Sequence, residues 1–321
     1  MEKQINYQQM IEVGCGLDVH RDTIVATIRS SSKDFETREF SSFTSSLIEL
    51  KDWCLSKKVS HIAMESTGIY WKPVYNIIEC GSFEILLVNA RHVKNIPGHK
   101  TDKKDSAWLS KLLLSGLLKG SFIPPVDIRE LRDLVRYKRK KTQAASSEKN
   151  RMIKILEDCN IKLSTVLSDV QGVSATKMIN ALIDGETNVD VLVQFAHGRI
   201  QASRDTIKLA LTGKVTEHHK FMLKVARESI ESFEVLIAKI DAQIEIAASK
   251  YKVELELLET IDGVGRSSAI SIISEIGADM SQFPNEHHLA SWSGVSPGNN
   301  ESGGKKKAQE LSTEINTYNQ P

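Results

Sequence analysis

The chain has 321 residues, enough for two domains with a connector between them, and 42 Lys and Arg against 41 Asp and Glu leave a net charge of +1. No apolar run approaches the ~18 residues of a membrane span, and the polar start MEKQINYQQMIEV has no signal-peptide core, so the expectation is a soluble, cytoplasmic protein. Cys15, Cys54, Cys80 and Cys159 are scattered with no C-x-x-C pair, which excludes a zinc knuckle or dithiol redox motif and fits reduced, buried thiols.

Residues 12–29, EVGCGLDVHRDTIVATIR, predict two short strands joined by a tight turn: Val13, Cys15 and Leu17 alternate, and Thr23 to Ile28 are β-branched or small. TREFSS predicts a third strand. Leu47, Leu50 and Cys54 recur at helical spacing. VSHIAME (59–65) predicts another strand, followed by a helix through Trp71, Val74, Ile77 and Ile78. FEILLVN (83–89) has the continuous apolar character of a strand buried on both faces. A helix is expected from about Thr101 to Lys119, carrying Ala107, Leu109, Leu112 and Leu113. Strands first, then strands alternating with helices, predict an α/β domain with a mixed sheet.

After GSFIPP the character changes. Residues 127–168 are charged and helical, with Leu131, Leu134, Val135, Ile155, Leu156, Leu163 and Leu167 as an apolar stripe. Arg91 to Lys154 hold 17 Lys and Arg, against 8 Asp and Glu counted through Asp158. Such a cluster steers a polyanion or forms a solvated helix face, and both readings stand. Its DNA-contact candidates are Lys100, Lys103, Lys104, Arg136, Lys138, Arg139 and Lys140.

Leu223, Ala226, Ile230, Phe233, Ile237, Ile240, Ile244, Ala247 and Tyr251 keep three-four spacing, a coiled-coil seam that needs a partner helix. That partner is the 127–168 helix, a second subunit, or both. In LLETIDGVGRSSAISIISEIG (257–277) a helix ends near Gly263 and another opens near Ser267, as in a helix-hairpin-helix. There the backbone at Gly263 and Gly265, with Arg266, would face a phosphate; plain helical packing is the alternative. The expected domains are 1–124, catalytic; 125–255, a helical connector; and 256–321, a small helical C-terminal domain.

Four carboxylates stand out. Asp18 and Glu65 each end a predicted strand, and Asp102 and Asp105 lie at i and i+3 on the opening turn of a helix. Strand-end acids gather at one sheet edge, and an i, i+3 pair shares a helix face. Gathered acids repel unless hard cations hold them, and Mg2+ prefers such oxygen ligands. Two ions about 4 Å apart stabilise the attacking and leaving oxygens of an in-line phosphoryl transfer. Taken singly, Asp102 is also a plain N-cap with Asp105 as an imperfect capping box, and Glu65 closes a turn.

GLDVHRDTIVATI, AMESTGIYWKPV, HKTDKKDSAWLSKLL, IDGVGRSSAISIISEIG and LASWSGVSPGNNESGG, in this order over about residues 12–305, resemble the IS-one-ten family of insertion-sequence transposases. The resemblance implies an RNase H-like, RuvC-like N-terminal domain, a coiled coil, and a C-terminal domain bearing a serine. It implies that Asp18, Glu65, Asp102 and Asp105 are a metal-binding DEDD tetrad for Mg2+, and that Ser302 is the nucleophile that forms a phosphoserine link to DNA. Lys305, Lys306 and Lys307 fit phosphate contacts beside it. The implied partners are element and target DNA, an element-encoded guide RNA and further copies of the chain. Family members continue as a basic helical segment beyond the serine, whereas AQELSTEINTYNQP lacks helical periodicity. The expectation is a C-terminally truncated copy, weak in strand exchange, with loose order from about Pro297.

Other classes fit parts of the chain. One is a DNA- or RNA-binding remnant without turnover. Another is a nuclease of branched DNA that uses the acids alone, with Ser302 a linker residue. GLDVHRDTIVATI also looks like the phosphate strand of an actin-like ATPase, although no second D-x-G loop follows.

Overall fold

Alternation in residues 14–19 builds the central strand of a five-stranded sheet. The structure, a computed structural model, describes residues 10–66, 68–79, 81–89, 105–197 and 200–295, with the backbone of 301–302 and 305–306. Strands β1 (Gly14–Val19), β2 (Thr23–Arg29), β3 (Phe35–Ser41), β4 (His61–Glu65) and β5 (Glu84–Val88) lie in the order β3-β2-β1-β4-β5. The β1, β2 and β3 strands pair antiparallel, whereas β4 runs parallel to β1 and β5 parallel to β4. This mixed α/β sheet is consistent with an RNase H-like domain.

One face of the sheet is apolar throughout. Cys15, Leu17 and Val19, with Ile24, Ala26, Ile28, Ile62 and Met64, pack on Leu47, Leu50 and Trp53 of α1 (Thr44–Ser56) and Trp71, Val74 and Ile78 of α2 (Trp71–Ile78). Each fully buried side chain of this kind stabilises the fold by about 1.5–3 kcal/mol.

The opposite face carries a single described helix, α3 (Asp105–Leu114). It lies close because β1 presents glycines there. A Cβ on Gly14 would stand 2.9 Å from Leu113, and one on Gly16 would stand 2.5 Å from the Ser110 amide nitrogen. Since Ser106 meets Gly16 and Leu113 meets Gly14, α3 runs antiparallel to β1, with its first turn toward the C-terminal end of that strand. Leu109 and Leu112 pack with Val88 and Leu86 on the β5 side. The helix was expected to reach Lys119; it stops at Leu114, and Gly116 adopts φ +65°, which only glycine enters freely.

Described residues up to Ile123 and from Met280 onward form one unit, and Pro124–Asp279 forms another. In the first unit, Phe283 packs edge-on to both Phe122 and Trp292, the last residue of a short helix over Glu286–Trp292. Glu301–Ser302 and Lys305–Lys306 pair as a small antiparallel ribbon, with Ser302 opposite Lys305.

The second unit is all helical. Its frame is α4 (Val126–Asp158), uninterrupted by Gly or Pro, which starts after Pro125. The stripe suggested helix as far as 168; the long helix ends at Asp158, and Asn160 turns the chain with φ 58°. Four shorter helices follow, α5 (Leu163–Val166), α6 (Val173–Ile183), α7 (Val189–Leu192) and α8 (Arg204–Leu211), then α9 (Glu217–Ala248), opened by a Thr216/His219 capping box. The apolar seam of α9 lies along α4 of the same chain. Leu223, Ala226 and Ile230 meet the region of Met152 and Leu156, and Ile244 and Ala248 meet that of Ile128 and Leu131, so the two helices run antiparallel. Helices α10 (Lys252–Glu259) and α11 (Arg266–Ile276) add Leu255, Ala269, Ile270 and Ile273 to the second cluster. No helix among the described residues is long and apolar enough to cross a membrane.

Candidate acidic corner and nucleic-acid interface

The register of β1 and β4 pairs Gly16 with Ala63 and Leu17 with Met64, so the next row sets Asp18 beside Glu65 at the C-terminal ends of two adjacent parallel strands. Strand alternation puts Gly14, Gly16 and Asp18 on the α3 face, because Cys15, Leu17 and Val19 belong to the core on the other side. The same alternation puts Glu65 on the α3 face, since Ile62 and Met64 point into that core.

Asp105 opens α3, one turn before Leu109, whose Cβ would lie 2.9 Å from a Cβ on Gly16. One helical turn advances about 5.4 Å and two strand residues about 6.6 Å, so α3 opens at the end of the sheet that carries Asp18 and Glu65. Three of the four acids therefore lie toward one end of the sheet. Asp102 lies outside the described residues, as do Lys100, Lys103 and Lys104. Among the described residues no three His, Cys, Asp or Glu side chains close on a common point as metal ligands. The donor chemistry nonetheless suits a hard divalent cation: carboxylates only, at strand and helix ends, with the Asp18 side chain 22% exposed.

A residue not anticipated from the motif also reaches this corner. His20 Nε2 lies 3.1 Å from Asp18 Oδ2. The available signal was its place just after Asp18, in the turn that follows β1.

Among the basic candidates, the structure separates occupied groups from open ones. Arg136 forms two 2.8 Å hydrogen bonds to the Glu275 carboxylate, and Arg132 donates to the Ser274 and Glu275 carbonyls at 2.9 and 2.6 Å. Arg132 thus caps the last turn of α11, where cations also offset the helix dipole, and Arg136 pairs with the acidic side chain of that turn. Lys138 pairs with Asp241 at 2.5 Å. Arg139 and Lys140 are exposed on α4.

In the hairpin between α10 and α11, Gly263 takes φ +85°, and a Cβ on Gly263 or Gly265 would meet nothing within 4 Å. Those backbone positions are open to a close-approaching ligand. Arg266 is bound to Glu245 at 3.0 Å and Glu259 at 3.4 Å, and the Glu245 carboxylate raises its pKa further. Ser302, Lys305 and Lys306 are placed by backbone alone in their ribbon. Apart from the ribbon backbone at 301–302 and 305–306, the expected looseness from about Pro297 falls on 297–300, 303–304 and 307–321, outside the described residues.

Cys15, Cys54 and Cys159 are free and buried, and burial pushes the Cys15 thiol well above its usual range. None of the three is a poised nucleophile.

Two protein-family models match the chain. One, described as a transposase of the IS110 DEDD type, matches residues 15–161, which take in the sheet, the acidic corner and α4. The other, the transposase IS116/IS110/IS902 family, matches residues 255–319, which take in the hairpin and Ser302. Together they span well over half of the chain. No curated protein matches it.

Proposed function

Because this chain belongs to the IS110 family of transposases, we propose that it recombines DNA by phosphoryl transfer, using Asp18, Glu65, Asp102 and Asp105 to hold Mg2+ and Ser302 as nucleophile. What supports the reading is that Asp18 and Glu65 end adjacent parallel strands and that Asp105 opens the helix at that same end of the sheet. Divalent metal at this corner supplies charge stabilisation for an oxyanion leaving a phosphodiester.

The residues divide the work. Asp18 and Glu65 are fixed by the sheet, and Asp105 by the first turn of a helix held against it, so the oxygen donors are preorganised. Ser302 Oγ attacks the DNA phosphorus and its proton passes to solvent or a nearby base. The 3′ or 5′ oxygen of the cut strand departs, leaving a phosphoserine ester whose energy is kept for rejoining. Arg139 and Lys140 hold the phosphate backbone, and the amides around Gly263 and Gly265 approach it at the hairpin. The DNA is that of element ends and target, with an element-encoded RNA as guide, and the working form is a homo-oligomer.

The test is strand cleavage of element-end DNA, with the element's RNA, with and without Mg2+. Cleavage that needs the metal and is lost in Asp18→Asn and Glu65→Gln supports the assignment. Cleavage that persists in both variants, or without divalent metal, contradicts it.

A further inference from the structure

Helix α3 is held to the sheet by hydroxyls rather than by hydrocarbon alone. The buried polar or charged residues of the described chain are Thr27, Arg29, Ser106, Ser110 and Ser274. All but the last lie at this one interface. Thr27 pairs with Gly16 across β2 and β1, and Arg29 with Gly14, so both share the face that α3 covers.

Thr27 Oγ1 lies 2.8 Å from Ser106 Oγ and 2.9 Å from Thr37 Oγ1. One helical turn on, Arg29 Nε donates to Ser110 Oγ at 3.2 Å, and Ser110 Oγ donates to the Ala107 carbonyl at 2.8 Å. Arg29 is fixed in turn by 3.2 Å bonds from Nη1 to the Ser31 and Ser32 carbonyls, and its guanidinium lies 4.4 Å from the Phe35 ring centroid.

Polar groups in a core cost free energy that an apolar contact would avoid. Their gain is direction. A small slide or roll of the helix costs Leu109 and Leu112 part of their non-directional contact, whereas a 2.8 Å hydroxyl pair is lost outright. The anchored Ser106 is the chain neighbour of Asp105, so any slip of the anchor moves the acid by the same amount.

We infer that Thr27 and Ser106, supported by Arg29 and Ser110, are positioning residues that set the register of α3 and thereby aim Asp105 at Asp18 and Glu65. They touch no substrate and act only through Asp105. The inference rests on the metal-binding reading of that corner.

The experiment titrates Mn2+ alone into the full-length chain by calorimetry and records metal-free thermal unfolding of the same samples. The set is wild type, Asp105→Asn, Thr27→Val, Thr27→Ser, Ser106→Ala and the Thr27→Val/Ser106→Ala pair. Thr27→Val and Ser106→Ala should each weaken Mn2+ binding about tenfold, the loss typical of removing a group that orients a metal ligand. The pair should lose no more than either alone, because both remove the same Thr27–Ser106 bond; the second partner that Thr27→Val gives up, Thr37, is exposed and turns to water. Thr27→Ser should keep wild-type affinity, and metal-free unfolding of the pair should stay near wild type, since both hydroxyls are gone together. If Thr27→Val does not fold, Ser106→Ala alone decides.

Wild-type Mn2+ affinity in folded Ser106→Ala would overturn the inference, as would a loss that only tracks thermal destabilisation. No Mn2+ binding by wild type would overturn the metal-corner reading and this inference with it. Binding by wild type that survives Asp105→Asn would overturn the route through Asp105 while leaving a metal site.

Discussion

Gly16 and Ser106 come so close that a Cβ on the glycine would stand 2.2 Å from the serine's carbonyl oxygen. That oxygen is backbone, so α3 itself would have to move to make room. Gly16→Ala should therefore lower stability by about 1–3 kcal/mol and displace Asp105 from the acidic corner. Denaturant unfolding checks the first effect and Mn2+ titration the second. An alanine variant with wild-type values of both would mean that α3 does not lie as close as the geometry has it.

Basic residues of α4 should differ sharply in what their removal does. Arg139→Gln and Lys140→Gln should leave unfolding unchanged and reduce the slope of log affinity against log salt by about 0.9 for each phosphate no longer neutralised. Arg136→Gln should instead destabilise the helical unit, because it leaves Glu275 without its bidentate partner. Salt-dependent binding to element-end DNA, with unfolding measured alongside, separates the two classes.

Tyr251 and Asp127 make a pH-dependent pair. The Tyr251 hydroxyl donates to Asp127 Oδ2 at 2.7 Å, which lowers the Asp127 pKa, while burial and then this bond raise that of Tyr251. A lowered carboxylate contributes stability above its ordinary pKa near 4, lost as pH falls through the lowered value. A raised phenol contributes below its ordinary pKa near 10, lost as pH rises toward the raised value. Tyr251→Phe should thus cost about 1 kcal/mol between about pH 4 and 10, and the cost should shrink outside that window. Unfolding at several pH values, wild type against variant, measures it; a pH-independent difference would rule the pair out as its source.

Much of the sheet was legible because one of its faces is apolar. Cys15, Leu17 and Val19 alternate with Gly14, Gly16 and Asp18, and that alternation alone assigns the acid to the other face. The TREFSS strand emerged slightly shifted, as Phe35–Ser41, because its register is set by partners in β2 such as Thr27 opposite Thr37. Pairing across the sheet leaves no trace in a local pattern.

The seam on α9 was equally plain, but its partner was not. Spacing says that a helix must cover Leu223 and Ile244, and only the fold names α4. Charge was the least readable quantity. Arg136 and Glu275 are far apart in sequence, so nothing in the local basic run shows that this guanidinium is paired with a carboxylate of α11. Thr27, Ser106 and Ser110 gave no sequence signal, since hydroxyls at helix and strand positions are ordinarily solvated.

If Ser302 carries the DNA strand while the acidic corner holds the metal, the cut strand must be found covalently on the protein. The most direct measurement incubates the chain with radiolabelled element-end DNA, the element's RNA and Mg2+, denatures it, and maps any protein-bound label by mass spectrometry. A single phosphodiester adduct at Ser302 is expected, absent in Ser302→Ala and in Asp18→Asn. An adduct on another residue, or metal-dependent cleavage that proceeds undiminished in Ser302→Ala, would contradict it.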